Sequence, residues 1–135
     1  MLIACSHAVI ASADVPRITR FFAQTFGVAP HFENEMFSEF VLPSKFRLAF
    51  FKPAGASART FRVTADRAGA ALGLTVADVD AVFGSLSALT EFTIELSGPP
   101  KDHPWGERSF LLTDPDGNRW EIAQSPSSDG MLKER

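Results

Sequence analysis

The sequence predicts an α+β fold built from two successive βαβββ modules, and three observations carry that prediction. Ala13-Asp14-Val15 recurs as Ala77-Asp78-Val79, an offset of 64, each time between a strand-like and a helix-like run. Apolar residues then follow the same order in both halves, first at strand spacing, then at helical spacing, then in short β-like runs. Finally, Asp114-Pro115-Asp116-Gly117 sits between two strand-like stretches as a closing turn, with Pro at its second position and Gly at its fourth. A three-residue match alone is chance; embedded in a repeated order of elements, it indicates duplication.

The elements follow in order. Leu2 to Ile10 is largely apolar and suits a first strand. Asp14 is a helix N-cap, and Pro16 stands in the first turn, where its missing N–H costs nothing. Val15, Ile18, Phe22 and Phe26 share one helical face, and Gly27 fits the left-handed position that ends the helix. Phe32, Met36 to Phe40 and Phe46 to Phe51 are β-like runs, the last two joined by a Pro43-Ser44 turn. The Ala-, Gly-, Ser- and Arg-rich stretch Pro53 to Gly69 reads as a connector between modules at about 1–52 and 70–125. Leu72 to Val76 opens the second module as a strand. Asp78 or Asp80 caps a second helix to about Leu89, with Val79, Val82, Phe83 and Leu86 on its buried face. Phe92 to Leu96 forms a strand, and Arg108 to Thr113 with Asn118 to Gln124 the final hairpin. The polar stretch 126–135 is expected to be a loose tail.

Composition narrows the function classes. The 135 residues fit one domain, and 45% hydrophobic with 21% charged residues is ordinary for a globular chain. Net charge is -3, with Lys and Arg scattered, so no basic footprint for nucleic acid is present. Cys5 is the only cysteine, which excludes an intramolecular disulfide and a multi-thiolate zinc site. The start MLIACSHAVI shows neither a basic leader nor a long apolar run, so a cytoplasmic setting without membrane insertion is expected. Thirteen Phe and two Trp, against no Tyr, supply either a Phe-rich core or the walls of an apolar ligand cavity. No Ser-His-Asp pattern, phosphate loop or dinucleotide fingerprint is apparent.

Pro104 to Ala123, PWGERSFLLTDPDGNRWEIA, resembles the last hairpin of the glyoxalase/bleomycin resistance/dioxygenase (vicinal oxygen chelate, VOC) superfamily. There a Pro-Trp-Gly loop, an aromatic strand, a DPDGN-like turn and a strand carrying a metal-binding Glu occur in that order. His7, Asp14, Phe21-Phe22 and Gly27 match the family's opening stretch, so the resemblance covers roughly residues 1–125. It implies a cupped mixed sheet with helices outside, a homodimer, and in the enzymes a divalent metal held by four strand positions. In those enzymes the metal acts as a Lewis acid toward two adjacent substrate oxygens.

Carried over residue by residue, the metal positions fall on His7, Ala49, Ala71 and Glu121. Alanine has no donor atom. A one-residue slip brings Leu48 or Phe50, and Ala70 or Leu72, which are equally unable to bind metal. Cys5 lies about 7 Å from His7 along a strand at ~3.3 Å per residue, and is otherwise read as a small buried hydrophobe. His31, Glu33 and Glu35 are loop candidates. A catalytic site ordinarily needs three protein ligands, so no cofactor is expected and a divalent metal is disfavoured.

Strand alternation groups His7 with Val9 and Ala11, Ala49 with Arg47 and Phe51, Ala71 with Gly73 and Thr75, and Glu121 with Arg119. With Trp105, these predict a ligand-binding set of His7, Arg47, Ala49, Phe51, Ala71, Gly73, Trp105, Arg119 and Glu121. Plainer readings stand beside it. His7 and Glu121 would simply bond each other, Arg47 and Arg119 be solvated charges, Trp105 anchor its loop, and His103 be an exposed loop residue. The expected function is binding or sequestering a small, partly aromatic molecule, as the resemblance to the bleomycin-resistance branch implies. The alternatives are a metal-dependent lyase, isomerase or dioxygenase of the glyoxalase kind, and metal-free acid–base catalysis by His7 and Glu121.

Overall fold

The computed structural model describes residues 3–63 and 69–125. It forms two compact units, Met1–Thr64 and Ala65–Arg135. Each holds a four-stranded mixed sheet and one α-helix among the described residues. The pairing yields two separate four-stranded sheets, one per unit.

In the first unit the order is β1 (His7–Ala11), α1 (Val15–Phe26), β2 (Phe32–Glu33), β3 (Phe37–Val41) and β4 (Arg47–Phe51). The sheet runs β1-β4-β3-β2, with β1 parallel to β4 and the other pairs antiparallel. The first strand is shorter than the apolar run that predicted it, beginning only at His7. Helix α1 has the predicted ends. Asp14 accepts the Arg17 backbone N–H at 3.1 Å, and Gly27 closes the helix at φ 65°. Its inner face packs on β3 and β4. Phe22 lies 4.8 Å from Phe26, 4.9 Å from Phe40 and 6.1 Å from Phe50, ring centre to ring centre, beside fully buried Val15 and Ile18. Tilted pairs of this kind add about 0.5–1.5 kcal/mol each beyond their buried area. The buried Thr19 hydroxyl is satisfied, donating to the Val15 carbonyl at 2.6 Å and lying 2.7 Å from Ser38 Oγ.

Part of the connector is ordered as a 3₁₀ turn, Gly55–Arg59, whereas residues 64–68 lie outside the described set. In the second unit β5 (Leu72–Thr75), α2 (Val79–Ser87), β6 (Glu95–Asp102), β7 (Arg108–Thr113) and β8 (Arg119–Gln124) follow in the expected order. Their sheet runs β5-β8-β7-β6 and repeats the first, β5 being parallel to β8. Asp78, not Asp80, caps α2, accepting the Ala81 N–H at 3.0 Å. The strand expected at Phe92 to Leu96 starts later and runs further. Phe92 is buried instead as part of the approach to it, and a register shift lies between Ser97 and Lys101. The loose tail expected at 126–135 lies outside the described residues. No helix among the described residues is long and apolar enough to cross a membrane.

Candidate functional site

Each sheet buries one face under its helix and presents the other. In the first unit the helix side takes Ser38, Phe40, Leu48 and Phe50, all buried. The side chains between them project from the opposite, open face, because strand side chains alternate. Register then decides which of these meet. His7 pairs with Arg47, Val9 with Ala49, and Ala11 with Phe51. On the other side of β4, Val41 pairs with Arg47, Glu39 with Ala49, and Phe37 with Phe51. Phe32 pairs with Glu39 at the edge. The predicted His7, Arg47, Ala49 and Phe51 therefore do share one face.

That face contains a polar group the sequence reading missed. Glu39 Oε1 lies 3.1 Å from His31 Nε2 and 3.3 Å from Arg47 Nη1, with the Glu39 side chain only 19% exposed. Arg47 is thus an ion-pair partner, not merely a solvated charge. His31 reaches the site from its loop, as one of the candidates proposed. Glu33 pairs with Ser38 and so falls on the opposite parity. Around the polar group the face is apolar. Val9 and Phe32 are 49% exposed, and Phe61 packs edge-on against Phe51 at 5.0 Å. Glu39 was detectable only as a carboxylate of the right parity on a β-like run; its position opposite Ala49 required the strand pairing.

The second unit repeats the scheme with different residues. Gly73 pairs with Glu121, Thr75 with Ala123, Leu111 with Glu121, and Thr113 with Arg119. Because Gly73 is Val9 shifted by the same 64, Ala49 and Glu121 occupy equivalent places in the two sheets. Gly73, Arg119 and Glu121 share the open face, Ala71 precedes β5 and is exposed, and Glu121 is exposed. His7 and Glu121 belong to different units.

The Pro-Trp-Gly loop is more organised than the sequence implied. His103 is half-buried, correcting its reading as an exposed residue. It stacks on Trp105 at 4.5 Å and 7°, and its Nε2 lies 2.6 Å from Ser109 Oγ. Trp105 Nε1 donates to Glu107 at 2.8 Å, yet the indole stays 66% exposed. Cys5, read as a buried hydrophobe, is exposed, as are Ile3, Ala4 and Ser6 beside it, because the strand begins only at His7.

Behind the open face the turn is locked by Asp114. Its carboxylate accepts the Asp116 and Asn118 backbone N–H groups, Asn118 Nδ2 and Trp120 Nε1, all at 2.8–2.9 Å. Burial nonetheless raises its pKa above the ordinary carboxylate range, against the lowering effect of those bonds. Arg108 on β7 grips Asp80 of α2 with two 3.0 Å bonds and reaches Asp102 on β6 at 3.3 Å. The Arg108 hydrogen bond holds Asp80 below its usual range.

The residues present do not fit the four-position metal site that the fold implies. Ala49 stands between Val9 and Glu39, and Glu39 is already engaged by two cationic or hydrogen-bonding partners. Ala71 has no donor, and the neighbour of Glu121 on β5 is a glycine. Among the described residues, no group of three or more His, Cys, Asp or Glu is placed to hold a metal ion.

Comparison with known proteins gives a consistent result. A family model for the Glyoxalase/Bleomycin resistance protein/Dioxygenase superfamily matches residues 4–122. A glyoxalase-related enzyme from Fulvimarina pelagi is similar at 26% identity and a TM-score of 0.75, over 93% of this chain and 90% of that one. A protein of unknown function from Agrobacterium tumefaciens is also 26% identical, with a TM-score of 0.69 over 93% and 94%. The bleomycin-binding protein of Streptomyces verticillus, solved with copper(II)-bleomycin, shares the fold at 20% identity and a TM-score of 0.58, over 90% and 96%. No curated protein matches the sequence. With the paired βαβββ units and a family match spanning nearly the whole described chain, this protein belongs to the glyoxalase/bleomycin resistance protein/dioxygenase superfamily.

Proposed function

We propose that this protein binds or sequesters a small, partly aromatic molecule on the open faces of its sheets, without a tightly held native metal. The observation that carries the reading is the composition of the first open face. Where the superfamily's enzymes place a metal ligand stands Ala49, a small residue without a donor, flanked by Val9 and Glu39, with Phe51 further along the same face. Apolar walls with a few placed polar groups are what small-molecule sites require. His7, Arg47, Ala49 and Phe51 line the surface in the first unit, and Ala71, Gly73, Trp105, Arg119 and Glu121 line it in the second.

The test begins with metal content per chain by plasma mass spectrometry on protein purified without added metal. Zinc, nickel, manganese and iron titrations of the chelated protein follow. Substoichiometric metal, together with a melting temperature raised by a naphthalene-type ligand, is the expected result. A ligand at 100 times its Kd stabilises by about 2.7 kcal/mol, which a thermal melt resolves. Stoichiometric metal that is lost in His7→Ala or Glu121→Ala would replace this reading with the metal-dependent enzyme.

A further inference from the structure

We infer that Arg47, positioned by Glu39, recognises an anionic group, so that the preferred ligand is an aromatic carboxylate. This rests on the small-molecule reading above and names its ligand class. Arg47 makes one 3.3 Å contact to Glu39 through Nη1, and its side chain is 58% exposed. A guanidinium carries five donors in a planar fork, so one such contact leaves most of its donors directed elsewhere.

The charge balance of the face sets the sign of the ligand. Its charged and titratable side chains are Arg47, Glu39 and His7, joined by His31 from the adjoining loop. Glu39 is offset by Arg47 and bonded by His31, so its carboxylate is a poor point of attachment for a cation. The Arg47 side chain is 58% exposed against 19% for Glu39, so the cation is the more accessible charge on this face. An anion is therefore the favoured guest. His7 is the register partner of Arg47, which puts a second hydrogen-bonding ring in the neighbouring row. The aromatic part of the ligand has its own surface, since Phe51 and Phe37 lie on the same face one strand pair apart. Arg47 and Phe51 stand at opposite ends of β4, about 13 Å apart at ~3.3 Å per residue. That span suits a bicyclic ring carrying a short carboxylate arm.

The experiment is calorimetric titration with 1-naphthaleneacetate and with its neutral counterpart, 2-(1-naphthyl)ethanol, at low and high salt. Wild-type protein should bind the carboxylate about tenfold more tightly than the alcohol, as one charge-assisted hydrogen bond provides. The preference should shrink with added salt. Arg47→Met should abolish it, and a thermal melt checks that the exposed substitution leaves the fold intact. Arg47→Lys should retain only part of the preference, having the charge without the fork. Equal binding of both probes, or a preference that survives in Arg47→Met, overturns the inference while leaving aromatic binding intact. Binding of neither probe overturns both.

Discussion

Four donors converge on the buried Asp114 carboxylate, and each comes from the turn or strand that the carboxylate organises. In Asp114→Asn one acceptor oxygen becomes an amide nitrogen facing donors. Stability should fall by about 3 kcal/mol, read from denaturant melts at neutral pH, because buried donors lose their partner. The pH dependence has a defined sign. Its folded pKa is raised, so ionising it is harder in the folded protein, and stability of the wild-type chain falls as pH rises from the ordinary aspartate value through the folded one. Asp80 behaves oppositely. Its pKa is depressed by Arg108, so its contribution is present above the ordinary value and lost as pH falls through the folded one. Asp80→Asn should therefore flatten the acid limb of the stability profile. An unchanged acid limb would show that the ion pair is too well solvated to matter.

At the scale of elements, the caps were legible in the sequence because they are local chemistry. Asp14 and Asp78 each accept a backbone N–H three residues on, as the repeated Ala-Asp-Val motif anticipates. Asp14→Ala should cost about 1 kcal/mol, whereas Phe22→Ala should cost about 3–5 kcal/mol, since it opens a cavity among Phe26, Phe40 and Phe50. Denaturant midpoints of the two variants would separate capping from packing. The strand before β7 was misplaced for a related reason. Phe92 to Leu96 reads as a strand by its side chains, but pairing with β7 begins at Glu95, opposite Thr113, a partner that lies outside any local window.

For the whole molecule, the duplication is the organising fact, since parallel β1–β4 and β5–β8 pairs repeat with the same register. The two modules differ at the positions that would hold metal, where one sheet has Ala49 and the other Glu121. Zinc or nickel added in excess should accordingly leave the melting temperature of the chelated protein unchanged. A metal-dependent rise that vanishes in His7→Ala would indicate a site completed from elsewhere.

The sequence by itself determined the element order, the ends of the first helix, the closing turn, the superfamily and the absence of donor atoms at 49 and 71. Those features are read from periodicity, backbone preference and residue chemistry, which act within a few positions or along a repeat. Tertiary structure alone decided which side chains meet. The placement of Glu39 opposite Ala49, its contacts with His31 and Arg47, and the stacking of His103 on Trp105 depend on register and loop path. Strand pairing joins residues distant in sequence, and a slip of one position would turn every one of them to the other face.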